Sequence, residues 1–272
     1  MLCGKGRCDC IIMTYAKIER FEFILKQLET DGKIIVVNIA EELQVAPETI
    51  RRDFDELEQQ HLLTRVHGGA IKYTNVRNEP AFLRKLQMQK EAKRNIARLA
   101  ARRICDGDTI AVDTGTTTVH IADFIMAVND ITVVTNSIAA AIQFNLAIEE
   151  RRMTGKVILL GGTTNPRQSS VAGAMTLELL GNMNFDKAFL SCGGISEGVI
   201  YDYDLDESLI SKKMLDHSKM NYLLADASKL NGRSFYQICH IEECTEIFCD
   251  IACPLEWLAF EEKWTECNGG KS

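Results

Sequence analysis

The chain has 272 residues, 46% of them hydrophobic and 25% charged, enough for two ordinary domains of a globular protein. Its net charge of −7 argues against a uniformly basic nucleic-acid coat. No apolar run approaches the roughly 18 residues needed to cross a bilayer, and the start does not read as a signal peptide, so a cytoplasmic location is expected.

Cys3, Cys8 and Cys10 form one short cluster near the N-terminus. A lone cluster is weak support for a metal knot, and no metal is expected. Met13 reads as a natural start, with residues 1–12 as an extension. From Tyr15 to Leu28 the apolar positions Ile18, Phe21, Ile24, Leu25 and Leu28 recur at helical spacing. Thr30-Asp31-Gly32 stops that helix, with Gly32 suited to a left-handed cap. Ile34 to Val37 is a short β-branched strand. Asn38, followed by Glu41, predicts a capping box for a second helix that buries Ile39, Ala40 and Leu43. Pro47 suits the first turn of a third helix, with Ile50, Phe54 and Leu57 as its core face. Thr49, Arg51, Arg52 and Asp55 then point elsewhere. Leu62 to Ala70 reads as a hairpin whose adjacent Gly68 and Gly69 permit a tight reversal. This order is that of a winged helix-turn-helix, with Pro47 to Phe54 in the recognition helix.

Arginine forks onto guanine or phosphate, so Arg51 and Arg52, early in that helix, are the expected groove contacts. Thr49 suits a phosphate or a thymine methyl, and Arg65, His67 and Lys72 on or beside the wing suit the DNA backbone. The plainer alternative pairs Arg51 and Arg52 with Asp55 and Glu56. Charge does not favour DNA here, since residues 13–75 hold eight Lys and Arg against eleven Asp and Glu. The opposite holds from Val76 to Cys105, with nine basic residues against Glu79 and Glu91. That stretch reads as a linker and then a long basic helix, about Phe82 to Cys105, which either presents a solvated face or touches phosphates.

Beyond it the pattern becomes strands alternating with helices, which implies a parallel sheet. Strands are expected at 109–112, 131–134, 157–160, 188–190, 221–225 and 246–248, with helices at 117–126, 137–144 and 207–217. The fold class is therefore an α/β C-terminal domain with a mainly parallel sheet, plus a small N-terminal winged helix-turn-helix. The expected boundaries are 13–73 for the first domain, 74–89 for a linker, 90–253 for the α/β domain and 254–272 for a tail. Cys239, Cys244, Cys249 and Cys253 have no zinc-ligand spacing. Cysteines in apolar runs, such as Cys105 and Cys249, suit buried thiols in a reducing compartment.

Asp113-Thr114-Gly115-Thr116-Thr117-Thr118 joins a strand to a helix. A glycine turn there lets backbone N–H groups approach an anion, and threonine hydroxyls add donors. A plain capped turn is the alternative. Thr135-Asn136-Ser137 and Gly161-Gly162 follow the next strands, so polar strand ends gather on one edge of the sheet, where parallel folds build a ligand crevice.

Thr49-Ile50-Arg51-Arg52-Asp53, Leu57-Glu58 and Arg65-Val66-His67-Gly68-Gly69-Ala70 resemble the DeoR-type bacterial repressors over residues 18–70. One departure is Ala46, where that family usually places the serine before the recognition helix. Losing this N-cap costs about 1 kcal/mol and deletes a phosphate contact. Residues 90–250 resemble the family's sensor domain through Asp106-Gly107-Asp108-Thr109, the threonine loop, Val134-Thr135-Asn136-Ser137, Leu160-Gly161-Gly162, Asp186-Lys187-Ala188-Phe189 and Ala225-Asp226-Ala227-Ser228-Lys229. The resemblance implies a fold similar to ribose-5-phosphate isomerases and aminosugar-phosphate deaminases, and a phosphorylated sugar or related metabolite as effector. Lys213 matches a basic position of the family; it and Lys229 either pair with the phosphate or are surface lysines. Gly198-Val199-Ile200 departs from the family's Gly-Leu-Thr.

The resemblance thus implies a repressor of a carbohydrate-metabolism operon with double-stranded operator DNA, a sugar phosphate and further copies of itself as partners. No cofactor is expected. The effector set is Asp113, Gly115, Thr116, Thr117, Thr118, Thr135, Asn136, Ser137, Gly161, Gly162, Lys213 and Lys229. An activator of the same family and an isomerase-like enzyme are the alternatives. Isomerisation needs a carboxylate base, whereas Ser191-Cys192-Gly193-Gly194-Ile195, which stands where the isomerases carry an acidic loop, has none. Asp113 can orient a hydroxyl, and no histidine is placed by sequence to activate Cys192. Binding without turnover is the expectation.

Overall fold

The computed structural model describes residues 17–59, 62–66, 68–72 and 79–267. The expectations for Cys3, Cys8, Cys10, Met13, His67 and the first part of the linker lie outside the described residues. The chain divides into two compact units, Met1–Asn75 and Val76–Ser272.

In the first unit α1 (Lys17–Asp31), β1 (Lys33–Ile35), α2 (Val36–Glu42), α3 (Pro47–Gln59), β2 (Leu63–Val66) and β3 (Gly69–Lys72) follow the expected order. The strands form an antiparallel sheet in the order β1-β3-β2. Val66 pairs with Gly69 at the end of the wing, and Gly68 takes a positive φ of 75° at no steric cost. Ile24, Leu28, Ile39, Leu43, Ile50, Phe54 and Leu57 pack into one core. The capping box fails: α2 begins three residues earlier than expected, Ile35 is its N-cap, and no side chain caps it. Asn38 therefore lies within the helix. The tertiary reason is a bond from the Val36 N–H to the Gly68 carbonyl of the wing (3.0 Å), which satisfies an orphan donor without a side chain.

The second unit opens with α4 (Phe82–Gln87) and α5 (Lys90–Ala101). The single basic helix is thus two, broken where Gln89 takes a left-handed conformation at φ 50°. Part of its charge is spent inside the unit, while Arg84, Lys90 and Arg102 remain exposed. Arg94 pairs with Asp123 (2.6 Å), Arg103 forks onto Glu246 (2.8 and 2.7 Å), and Lys93 is buried with its ammonium on the Lys85 carbonyl (2.5 Å). A wholly solvated face is therefore excluded.

There follow β4 (Thr109–Val112), α6 (Ile121–Phe124), β5 (Val128–Thr135), α7 (Ile138–Glu149), β6 (Met153–Leu159), the hairpin β7 (Thr163–Asn165) and β8 (Ser170–Ala172), and α8 (Ala174–Leu180). Then come β9 (Phe185–Leu190), β10 (Gly194–Ser196), β11 (Val199–Asp202), α9 (Leu205–Asp216), β12 (Ser218–Leu224), β13 (Tyr236–His240), β14 (Glu246–Cys249) and β15 (Trp264–Glu266). Among the described residues a seven-stranded sheet runs β15-β14-β12-β9-β4-β5-β6, and each neighbouring pair is parallel. Successive side chains of a strand alternate in face. Ile110 and Val112 of β4 enter one core with Phe144, Phe189 and Phe248, and Ala111 enters the other with Leu190, Met214 and Trp257. Both faces are covered, as a parallel sheet requires.

Residues 254–272 are not a tail, as far as Cys267. Trp257 is buried in the second core, and β15 pairs with β14 because its backbone completes an edge. Nor are 79–89 simply a linker, since Phe82 is buried in the first core. Cys249 is buried as expected, but Cys105 is exposed, lying in the turn before β4.

Candidate functional site

On α3 the core face holds Ile50, Phe54 and Leu57, each wholly buried, and leaves Arg51, Arg52 and Asp55 exposed and Thr49 half-buried. Helical periodicity alone requires this split. Asp53, within the family motif, is structural: Arg20 of α1 forks onto its carboxylate at 2.7 and 2.9 Å, with little exposure of either side chain. This bidentate bond holds the Arg20 guanidinium above its ordinary range. The alternative partners, Asp55 and Glu56, go elsewhere. Arg51 pairs with Glu48 (3.0 Å), Asp55 with Arg65 of β2, and Glu56 with Lys17. Arg52 is exposed with no ion pair among the described residues. The Arg65 N–H also donates to Glu58 (2.7 Å), so the wing is tied to the recognition helix. Ala46 offers only its carbonyl, which accepts from Thr49 and Ile50 at 2.8 and 3.4 Å.

The second site lies at the carboxyl ends of the parallel strands. From β4 the chain runs outward through β5 to β6, then returns to the other side of β4 as β9. The ends of β4 and β9 therefore flank a topological switch point, where such sheets open a crevice. There a cleft of about 470 Å³, open mouth included, is lined by Thr114 to Thr117, Ser191 to Gly193, Asp202, Tyr203, Glu207, Lys229, Gln168, Glu79, Phe82 and Lys85. Ser191 ties the two loops by donating to the Thr114 carbonyl (2.8 Å). Gly115 is required by this close approach: a Cβ on it would lie 2.3 Å from the Ser191 Oγ.

Of the expected effector residues, Gly115, Thr116, Thr117 and Lys229 line the cleft. Others stand behind it. Thr118 donates to the Asp113 and Gly115 carbonyls (2.8 and 3.2 Å), and Thr135 to the Val112 carbonyl (2.6 Å). Asn136 accepts from the Thr114 N–H (3.1 Å), and Ser137 caps α7 through Ala140 (3.1 Å). The Asp113 carboxylate is held by Ser211 (2.9 Å) and the Thr114 N–H (2.7 Å).

Gly161 and Gly162 fall outside the lining. They follow β6, two strands from β4, which puts them roughly 10 Å away across the sheet. Lys213 is also outside, because Glu207, Ser208 and Ser211 of α9 turn inward and a residue two beyond Ser211 is rotated by about 200°. The expected helix at 117–126 is a 3-10 turn over Thr118–His120 followed by the four residues of α6, too short for a strong helix dipole at the threonine loop.

Sequence reasoning missed most of the charge in the cleft. Burial and the charges of Asp202 and Glu207 push the Asp113 carboxyl well above the carboxylate range. Burial, then the charge of Glu79, raises Asp202 to about 6 against the pull of Lys85. Burial raises Glu207 to about 7 despite a bond from Ser170, with Glu79 and Asp202 adding to the rise. Burial opposes the charge on Lys229, but Asp226 and Tyr203 hold its pKa above the ordinary value. Burial lowers Lys93, beneath α4, to about 8. Cys192 is driven far upward by burial, so it is a thiol and a poor nucleophile. The loop at 191–195 carries no acid, but tertiary structure brings Asp202, Glu207 and Glu79 to it. A local signal existed only for Asp202, in the unusual run Tyr201-Asp202-Tyr203-Asp204. Other family motifs are joints at the far end of the sheet: Lys187 pairs with Asp108 (2.5 Å), and Asp186 accepts from the Thr109 N–H (2.9 Å).

A winged helix-turn-helix joined to a parallel α/β unit with a charged crevice defines a DNA-binding transcriptional regulator. Residues 20–76 match the DeoR-like helix-turn-helix domain, and residues 88–251 the DeoR C terminal sensor domain. The chain is 43% identical to an HTH-type transcriptional regulator of Staphylococcus epidermidis, over 79% of this chain and 84% of that one. It is 35% identical to the HTH-type transcriptional regulator FruR of Bacillus subtilis, covering 85% and 90%. It is 32% identical to the lactose phosphotransferase system repressor of S. epidermidis, covering 86% and 92%. The protein belongs to the DeoR family of transcriptional regulators. A ribose-5-phosphate isomerase bound to phospho-erythronic acid aligns with a TM-score of 0.37 and 19% identity, over 52% of this chain and 54% of that one, a likeness too slight to bear on the site. No helix among the described residues is long and apolar enough to cross a membrane.

Proposed function

We propose that the protein represses a carbohydrate-metabolism operon and that a phosphorylated sugar or related metabolite in the sensor cleft controls its affinity for operator DNA. One observation carries the effector reading. The cleft joins a threonine-rich loop to the ammonium groups of Lys85 and Lys229, while Thr114 Oγ1 and Gln168 Oε1 on its walls are buried without a hydrogen-bond partner. Buried polar atoms are ordinarily paired, and a polyhydroxylated anion supplies what these lack. The lactose repressor among the relatives supports the same class of ligand.

On the DNA side, Arg51, Arg52 and Thr49 enter the major groove, and Arg65, His67 and Lys72 hold the backbone. A cytoplasmic homo-oligomer, a dimer or tetramer joined through the sensor units, presents paired heads to repeated half-sites. The effector favours a state that spaces the heads badly for DNA, which requires that it bind the two states with different affinity. The sensor binds without turnover and without cofactor or metal. A second reading, isomerisation of the bound sugar phosphate, is favoured by Glu207, whose pKa of about 7 suits a general base.

A thermal-shift screen of pentose and hexose phosphates, followed by operator binding with each hit, tests the reading. A stabilising hit that leaves DNA affinity unchanged sinks the coupling, and measurable turnover of a sugar phosphate favours the enzyme. Arg51→Ala with Arg52→Ala is expected to abolish operator binding, at about 1–3 kcal/mol per base-contacting arginine, while effector affinity is unchanged. Intact DNA affinity would refute the assignment of α3.

A further inference from the structure

Strand ends alone do not enclose the cleft. Glu79, Phe82 and Lys85, which line one side of it, come from the segment that follows the DNA-binding unit in the chain. The last described strand of that unit ends at Lys72, seven residues before Glu79. Most parallel-sheet crevices are built by loops after the strands, so a wall supplied by the incoming chain is a separate construction.

The segment is pinned to the sensor unit at a few identifiable points. Phe82 inserts its ring into the core and donates its N–H to the Arg167 carbonyl (2.7 Å). Arg167 returns a bond to the Glu79 carbonyl (3.1 Å), and Gln168 donates to the Pro80 carbonyl (3.3 Å). Within the cleft Lys85 and Glu79 pair with each other, their side chains 17% and 13% exposed.

Two details turn this wall into a ligand contact. Gln168 is 4% exposed; one end of its amide holds Pro80, and its Oε1 has no partner. Thr114, 9% exposed, stands on the β4 side with its hydroxyl also unpartnered. Both side chains line the cleft, so each has hydrogen-bonding capacity for a bound molecule. The Lys85–Glu79 pair is held by one carboxylate, for which a phosphate dianion is a stronger competitor. Displacing Glu79 removes a carboxylate whose charge bears on both Asp202 and Glu207.

The geometry points to residues 79–85 as part of the effector seat: Lys85 exchanges the Glu79 carboxylate for the phosphate of a sugar phosphate, and Gln168 accepts a sugar hydroxyl while holding Pro80. This rests on the effector reading above and adds where occupancy is first felt. The ligand touches the chain that leads from the DNA-binding unit, so the signal need not cross the sheet.

The test uses the full chain, with inorganic phosphate and a panel of pentose and hexose phosphates as probes. Affinity is read by calorimetry, and backbone exchange at 79–87 by hydrogen–deuterium exchange. Lys85→Met is expected to weaken phosphosugar binding by about tenfold or more and Lys85→Arg to restore most of it, as loss and return of a charge-assisted bond require. Glu79→Gln is expected to tighten binding a few-fold by removing the competitor, a gain that damage to the fold does not produce. Ligand is expected to change exchange across 79–87 in the wild type. Binding that is untouched by Lys85→Met and by Glu79→Gln, with unchanged exchange at 79–87, overturns the inference and leaves the effector reading standing. Failure of every probe to bind overturns the effector reading and this inference with it.

Discussion

The two units of this molecule build their working surfaces in opposite ways. The proposed DNA-binding surface is carried by neighbouring residues of one helix, Thr49, Arg51 and Arg52, whose outward direction follows from the burial of Ile50, Phe54 and Leu57. The sensor cleft is assembled from separate stretches around 79–85, 114–117, 168, 191–193, 202–207 and 229. A site on one helix inherits its geometry from local periodicity, whereas a site at a sheet's switch point inherits it from strand order. The first tolerates loss of a surface side chain with the fold intact. In the second, charged groups are buried next to one another, and each sets the ionisation of its neighbours.

The comparison can be broken most forcefully at Asp53, the buried exception on the recognition helix. Asp53→Ala removes the carboxylate onto which Arg20 forks, and breaking a buried pair costs about 3–5 kcal/mol. Denaturant unfolding should show the DNA-binding unit lost at far lower denaturant while sensor-unit ligand binding persists. A shift under about 1 kcal/mol, as for a surface pair, would mean that Asp53 belongs with its exposed neighbours.

A smaller effect is expected from the buried acid of the sensor. Glu207 has its folded pKa raised from 4.5 to about 7, so the folded state binds the proton more tightly than the unfolded chain. Its contribution to stability is complete below about pH 4.5 and is lost as pH rises through 7, an effect of order 2–3 kcal/mol. Glu207→Gln should flatten the stability profile of the effector-free protein between pH 5 and 8 and raise stability at pH 8. An unchanged profile would remove Glu207 from the coupled acids of the cleft.

The smallest effect is at the start of α3. Ala46→Ser supplies the missing cap and should stabilise the DNA-binding unit by about 0.5–1 kcal/mol, seen as a modest rise in its unfolding midpoint. No gain would show that the Ala46 carbonyl bonds to Thr49 and Ile50 already leave nothing for a side chain to add.

Where sequence reasoning erred, a long-range contact had replaced a local signal. Asn38 has the residues of a capping box, but the Gly68 carbonyl in the wing takes the first N–H and moves the helix start to Val36. The basic run from Arg84 to Arg103 looks like an outward charge, but Glu246, Asp123 and Glu79 fold back onto it from as far as 143 residues away. Trp264 to Glu266 has no strand pattern of its own and becomes a strand because β14 offers it an edge.

The sequence by itself determined the order of elements in the DNA-binding unit, the direction of Arg51 and Arg52, the parallel α/β character of the sensor and the threonine loop at Gly115. Each is a matter of periodicity or turn chemistry within a few residues. Only the tertiary structure decided which polar residues share a cleft. It set Thr135, Asn136, Ser137 and Asp113 behind the threonine loop, excluded Gly161, Gly162 and Lys213, and admitted Glu79, Lys85, Gln168, Asp202 and Glu207. The physical reason is that strand order, not chain order, sets which loops meet, and burial among those loops then fixes their charge.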